Sequence, residues 1–456
     1  MVALSRELVR LLLRRQREGL PAPIRAKTRL HIADAVGQGL AAARSGTLAT
    51  QVVEAMSAGA APGRCGVYGF AQGMAPAQAA FANAALMHVL GYDDIHDAAR
   101  LHPTTVALAA ALAAAPLAPA TGRQLVDAVA LADELMCRLG AMLSPTGAGP
   151  GSDWFLTQLF GYLGAVLASG IVLGHGEDRL VSALGLAYMQ AAGGKQAGFG
   201  TGSTARAIYP AFAAQGGVQA SLIAAAGLVG PEESLDGAAG LFRIYLGIDA
   251  DAPRRAALLR PEGWEFEAVQ IKPWPCCRLS HPYVAAALQL RAVLQAQGSA
   301  AEDARSIDVA VNGSAAKLCR PLDERRRPAT LQDAKYSIPW MVAFTLRHGR
   351  VDLQTLDEPA LSDREVHALA DRVRIHETLP DKPGHPPAEI RVTTQQGAVF
   401  DSAPVGEIEV GDAQVRAKFD ACLAYAGHSA SQSQSLWGRL QSLDDERDVA
   451  FICGPH

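Results

Sequence analysis

The sequence predicts a mainly α protein: a large all-helical domain carrying an inserted, smaller α+β lid domain. Three observations carry this. Through the first half, apolar residues recur at the 3.6-residue helical period, with small residues for close helix approach and almost no β-branched alternation. Period-two alternation, the mark of a strand, is confined to residues 305–312 and to 389–394 with 398–403, the last two joined as a hairpin by Gln395-Gln396-Gly397. Helical patterning then returns at 415–425. The expected boundaries are 1–262 plus 411–456 for the helical domain and 263–410 for the lid, and 456 residues suit two domains.

Composition narrows the function classes. Hydrophobic residues at 49% and charged residues at 19% describe a well-buried globular chain. A net charge of −4 leaves no electrostatic footprint for nucleic acid, and Arg325-Arg326-Arg327 is too short a basic run for a membrane surface. The longest apolar run, 160–174, is shorter than the ~20 residues that span a bilayer and is interrupted by three glycines. Seven scattered cysteines form no disulfide framework, so the expected compartment is reducing and cytoplasmic.

Taken in order, residues 1–19 read as an amphipathic helix. Their arginines resemble a transit peptide, but Glu7 and Glu18 argue against one. After Leu20-Pro21-Ala22-Pro23 a second helix covers 24–45, with Asp34 inside an apolar stretch; 46–76 shows no assignable pattern, and 77–88 is an Ala-rich helix. Residues 91–104 follow, placing Asp93, Asp94, Asp97, His96 and His102 within ten positions. On a helical wheel Asp93, His96 and Asp97 share one face. Pro103 ends any such helix and opens a new one over 103–115, with His102 at its cap. There the helix dipole favours the neutral imidazole, which suits proton abstraction. The plainer alternative is a surface helix with an ion-pair network.

Further helices are expected over 122–143 (with Glu134 and Arg138 at i, i+4), 153–173 and 180–192, with a loop at 144–152. Residues 198–204 look like a nucleotide loop, yet no strand precedes them and no P-loop lysine follows. They lead to Arg206 and to Tyr209, which starts a helix over 211–228. In the lid, 331–349 and 363–373 read as helical. At the domain boundary, where ligand clefts form, Lys272, Arg278 and His281 make a cationic cluster, with His281 capping a helix from Tyr283. A solvated basic loop is the alternative. Cys276-Cys277 lacks metal-site spacing, and no metal is expected.

These landmarks resemble one family. Residues 91–104 are similar to the Asp-Phe-Asp-Asp-Thr-His…His-Pro-Ser stretch of the MmgE/PrpD proteins, which include 2-methylcitrate dehydratase, cis-aconitate decarboxylase and iminodisuccinate epimerase. Residues 272–282 resemble its Lys-Pro-Tyr-Pro-Cys-Cys-Arg…His-Pro segment, 334–340 its Ala-Lys-Phe-Ser-Leu segment, and 213–218 its Ala-Ala-Gln-x-Gly-Val run. The resemblance implies an interdomain active site, a homodimer and no required cofactor. It maps the family's catalytic His to His102 and the Asp of its Asp-Asp pair to Asp93 or Asp94. Ile95 stands at its Thr, Phe155 at its second active-site His, Arg206 at its Lys, and Tyr209 at the His that follows.

The function expected is a lyase, dehydratase or decarboxylase, acting on a small di- or tricarboxylic acid in the manner of 2-methylcitrate dehydratase. His102 is the general base, Asp93 or Asp94 its orienting group, and Tyr209 a proton donor. Lys272, Arg206 and Arg278 clamp carboxylates, with His281, Ile95 and Phe155 also against the substrate. Alternatives are an epimerase on the same scaffold, a non-catalytic carboxylate-binding paralogue, an enzyme for a less polar substrate, and a metal hydrolase using Asp94, His96, Asp97 and His102. His88, His96 and His428 read as packed or solvated histidines.

Overall fold

The computed structural model describes residues 2–44, 46–58, 61–143, 149–381, 388–405 and 408–454. Within it the chain divides into two compact units. The first comprises Met1–Lys195, Ala207–Ile271 and Gly411–His456; the second comprises Gln196–Arg206 and Lys272–Val410. As the periodicity predicts, the chain is mainly helical, and its sheets are small.

The first unit is built on helices, several of them buried along almost their whole length. After α1 (Leu4–Glu18) come α2 (Ala22–Arg44), α3 (Leu48–Ser57) and a hairpin of β1 (Cys65–Val67) with β2 (Phe70–Met74). Next are α4 (Pro76–Val89), β3 (Ile95–His96), α5 (Pro103–Ala114), α6 (Gly122–Met142), α7 (Leu156–Val172), α8 (Glu177–Tyr188) and α9 (Tyr209–Ala225). The short α10 (Leu241–Leu246), α11 (Ala252–Leu259) and β4 (Val269–Gln270) close that part of the chain. Every residue of α5 is buried, as expected of a helix that is apolar all round, and it packs against α4, α6, α7 and α9. Each of its buried Val and Leu side chains contributes about 1.5–3 kcal/mol. Glycine sets the spacing between α7 and α9: a Cβ on Gly217 would sit 2.3 Å from the Cβ of Ala165.

The pair Glu134–Arg138 forms, but inside the protein. Arg138 Nε lies 2.6 Å from Glu134 Oε1, and both side chains are buried. Arg15 Nη1 and the Phe266 backbone N–H complete the shell of Glu134 at 3.0 Å each. Two buried ions are tolerated here because their remaining hydrogen-bonding capacity is met.

The helical reading of 93–97 is corrected. Residues 93–97 are not helical, so Asp93, His96 and Asp97 do not share a helix face. Gly91 adopts φ 66°, a left-handed conformation that ends α4. The chain then pairs as β3 with β4, Ile95 opposite Gln270 and His96 opposite Val269. A tight turn follows, closed by Arg100 N–H to His96 O at 2.7 Å and His96 N–H to Leu101 O at 2.9 Å. The helical pattern was real but short, and the backbone found partners in a distant strand.

In the second unit α12 (His281–Ala296) is followed by β5 (Ala304–Val311), α13 (Gly313–Ala316), α14 (Leu322–Arg326), α15 (Leu331–Lys335), α16 (Ile338–His348) and α17 (Arg364–Ala370). Then come β6 (Val373–Glu377), β7 (Glu389–Thr394) and β8 (Val399–Asp401). The sheet order is β6-β5-β7-β8, with β5 parallel to β6 and the other pairs antiparallel. The alternation read in β5 buries Ile307, Val309 and Val311 beside Ile390 and Val392 of β7. The helix expected over 331–349 is two, because Ser337 caps the second by accepting from Trp340 N–H at 3.1 Å, with Pro339 in its first turn. The strand β6 gave no signal, since only Val373 of its five residues is buried.

The glycine loop within 196–206 has a structural role in this unit. Buried Arg325 donates to Gly200 O at 2.7 Å, and Gly202 N–H donates to Asp333 at 3.2 Å. Returning to the first unit, α18 (Asp412–Ala426) lies along α2 and α19 (Ala430–Gln441) beside it.

Candidate active site

Four helix ends converge in the first unit. His88 stands in the last turn of α4, and Asp93 and Asp94 lie in the loop after it. His102 is the N-cap of α5, at φ −110° and ψ 90° ahead of Pro103, which is the extended conformation a residue before proline prefers. Phe155 is the N-cap of α7, and Tyr209 is the first residue of α9.

Around His102 the geometry is specific. Its backbone N–H donates to Thr157 Oγ1 at 2.9 Å, and Tyr209 Oη donates to the same oxygen at 3.3 Å. Its Nδ1 lies 2.5 Å from the carbonyl oxygen of Asp94. A carbonyl can only accept, so Nδ1 carries the hydrogen and Nε2 is the basic atom of the neutral ring. The side chain is 12% exposed.

The two aspartates, indistinguishable in sequence, part company here. Asp93 Oδ2 lies 3.5 Å from His102 Nδ1, and it accepts from His88 Nδ1 at 2.6 Å and Thr105 Oγ1 at 3.2 Å. The Asp94 carboxylate turns inward: its Oδ2 accepts from His31 Nδ1 at 2.7 Å and from Thr104 Oγ1. Thr104 Oγ1 is also 2.8 Å from Asp133 Oδ2. One hydroxyl has one proton, so it cannot donate to two carboxylates. Burial, with the charge of Asp94, raises Asp133 well above the ordinary carboxylate range. Asp133 is therefore the protonated partner, donating to Thr104, which donates to Asp94.

Beneath this lies Lys418 of α18. Its ammonium is 2.8 Å from Asp34 Oδ1, donates to Tyr92 O at 2.9 Å, and sits 3.8 Å from the centroid of the Tyr92 ring. Burial raises Asp34 to about 6 despite that ammonium, and burial lowers His31. Aromatic rings wall the corner. Phe155 stacks on Tyr209 with centroids 4.3 Å apart, and His88 stands edge-on to Tyr209 and to His102 at 4.9 and 5.3 Å. Ile95 is buried in β3.

The second unit holds the cationic candidates. Lys272, Arg278 and His281 are buried; His281 Nε2 donates to Cys276 O at 3.3 Å and its ring packs edge-on to Trp274. Burial, reinforced by Lys272, lowers Lys335 to about 8, and the Lys335 carbonyl accepts from Cys277 N–H at 2.9 Å. The guanidinium of Arg206 lies 3.4 Å from the centroid of the Tyr336 ring. Sequence reasoning did not single out His31, His88, Thr104, Thr105, Asp133, Thr157, Lys335 or Lys418 for this role. A signal existed for one of them: Asp133, like Asp34, is an acid inside an apolar helix, where an unpaired charge is costly.

Among the described residues no three His, Cys, Asp or Glu side chains converge as metal ligands. His96, one of the residues weighed as a ligand, is turned to Glu265 at 3.4 Å. Among the same residues no helix is long and apolar enough to cross a membrane.

Helical first unit, small mixed sheet in the second and an Asp-Asp…His-Pro corner at a helix start define the class. The chain matches the model of the MmgE/PrpD N-terminal domain over residues 6–252 and that of the MmgE/PrpD C-terminal domain over 274–439, and it belongs to the MmgE/PrpD family. It is 26% identical over 418 residues to a cis-aconitate decarboxylase-like protein of Aspergillus oryzae, covering 86% of this chain and 84% of that one. It is 29% identical over 245 residues to the cis-aconitate decarboxylase of Aspergillus terreus, covering 50% of this chain and 48% of that one.

Proposed function

We propose that this protein is a cofactor-independent lyase that removes CO2 or water from a small di- or tricarboxylic acid, with His102 moving the proton. The observation that supports the reading is the imidazole geometry: Nδ1 is bonded to a carbonyl, which leaves Nε2 as the basic atom of the neutral ring, and a carboxylate stands 3.5 Å behind. In a dehydration the neutral ring takes the C–H proton beside a carboxylate while hydroxide departs. In a decarboxylation of an unsaturated acid the imidazolium protonates the far carbon of the allylic system as the C–CO2 bond breaks. The names of the relatives favour the decarboxylation.

In this reading Asp93 orients and stabilises the imidazolium, Tyr209 is the second proton donor, and Lys272, Arg206, Arg278 and His281 hold the carboxylates. Phe155 and Ile95 supply an apolar contact. The active species is a homodimer in a reducing cytoplasm; that all seven cysteines are free thiols supports the compartment, and light scattering tests the dimer.

The decisive experiment incubates the protein with cis-aconitate, 2-methylcitrate and iminodisuccinate, with His102→Gln as control. Release of CO2 from cis-aconitate, or an alkene from 2-methylcitrate, supports the lyase, and His102→Gln lowers kcat/KM about 10²–10⁴-fold, the usual worth of a general acid–base group. Undiminished turnover in that variant removes His102 from the mechanism. Binding without turnover of any acid replaces the lyase by a carboxylate-binding paralogue, and turnover of iminodisuccinate alone replaces it by an epimerase.

A further inference from the structure

His88 belongs to none of the roles assigned so far, yet it is built into the His102 corner. It is buried at the end of α4, its Nδ1 lies 2.6 Å from Asp93 Oδ2, and its ring edge meets both His102 and Tyr209. The same oxygen of Asp93 faces His102 Nδ1 at 3.5 Å. Two imidazoles thus address one carboxylate oxygen, His88 from 2.6 Å and His102 from 3.5 Å. The asymmetry assigns their work. A hydrogen bond donated to the charged form of an acid stabilises that form and lowers its basicity. His88 therefore fixes where Asp93 points and limits how strongly its charge acts on His102.

We propose that His88 is a positioning residue that holds Asp93 and thereby sets the proton affinity of His102. The proposal rests on His102 as the proton-moving group. Other polar groups around the corner are Asp94, Thr104 and Thr105 beside it, Thr157 of α7 and Tyr209 of α9. Behind them stand His31 and Asp34 of α2, Asp133 of α6 and Lys418 of α18. Of these, Thr105 also donates to Asp93 Oδ2, and at 3.2 Å its bond is longer than that of His88. Removing His88 leaves the carboxylate less well neutralised, and an opposite charge beside an imidazole raises its pKa.

The test follows the His102 imidazole by NMR titration, its resonance identified by its loss in His102→Gln. In His88→Leu the midpoint of His102 rises by about one pH unit, and the acid limb of the pH–rate profile moves the same way. In His88→Gln, whose amide can still donate to Asp93, the midpoint returns toward the wild-type value. An unchanged midpoint in folded His88→Leu, or a shift that glutamine does not reverse, overturns the proposal by reducing His88 to packing. Should His88→Leu not fold, the unmodified protein still decides. The His88 Nδ1–H must appear as a protected, far-downfield proton that disappears in Asp93→Asn, and its absence overturns the proposal. The titration needs no turnover. A protein that transforms none of the acids but shows the His102 shift loses the lyase reading and keeps the positioning role.

Discussion

Replacing Lys418 by methionine isolates one buried charge and makes its cost depend on pH in a calculable way. In the folded protein burial pushes the Asp34 carboxyl up to about 6 from its ordinary value of 3.8. Its folded value is raised, so stability from this group is greatest below pH 4 and declines as pH climbs toward 6. At 1.36 kcal/mol per unit, ionising Asp34 within the fold costs about 3 kcal/mol. The ammonium of Lys418, 2.8 Å away, keeps the cost from being larger. Without it Asp34 stays protonated in the folded state, and the penalty relative to wild type grows by about 1.4 kcal/mol for each pH unit above 6. At pH 5, where Asp34 is protonated in both proteins, only the hydrogen bond to Tyr92 O and the contact with the Tyr92 ring are lost, together ~1–2 kcal/mol. At pH 8 the total reaches ~4–5 kcal/mol, within the range for breaking a buried ion pair. Urea denaturation of both proteins at pH 5, 6.5 and 8 measures it. An equal loss at all three refutes the ionised Asp34–Lys418 pair as the origin of the effect.

Substitutions at two further positions probe the same unit. Asp133→Asn keeps a donor for Thr104, so at pH 7 it changes stability by less than about 1 kcal/mol, whereas Asp133→Leu strands the Thr104–Asp94 contact and costs ~1–3 kcal/mol; equal losses in urea denaturation would mean that Asp133 is ionised. Gly217→Ala puts a methyl 2.3 Å from the Ala165 Cβ and 2.8 Å from Tyr162 O, which wedges α7 from α9 and costs ~1–3 kcal/mol or more, seen as a lowered Tm.

Much of the architecture was legible because it rests on patterns that tertiary structure does not overrule. The all-apolar face of α5 and the Pro103 that opens it put His102 at the cap position, and the alternation of Ile307, Val309 and Val311 put β5 in a sheet. What escaped reading has a common cause. Within the 91–102 segment, Ile95 and His96 pair with β4, some 170 residues further on, and nothing local announces that pairing. The break at Ser337 is visible only once the capping bond to Trp340 is known. At the site itself, His102 stood out by position, while Asp93 and Asp94 could be told apart only by where their oxygens point. His88 looked like one more histidine in an Ala-rich helix, because a contact five residues away in sequence becomes informative only when the loop between is not helical.

The anchoring of Tyr92 by Lys418 bears on how the protein comes into being. The two residues are 326 positions apart, and at ~5–20 residues per second of synthesis the first waits roughly 15–65 seconds for the second to be made. Through that interval Asp34 and the loop bearing Asp93 lack their cation, and the entire second unit is translated in between. A nascent chain would thus carry its acid-rich corner without that ammonium until α18 emerges, which ties completion of the corner to prior synthesis of the second unit.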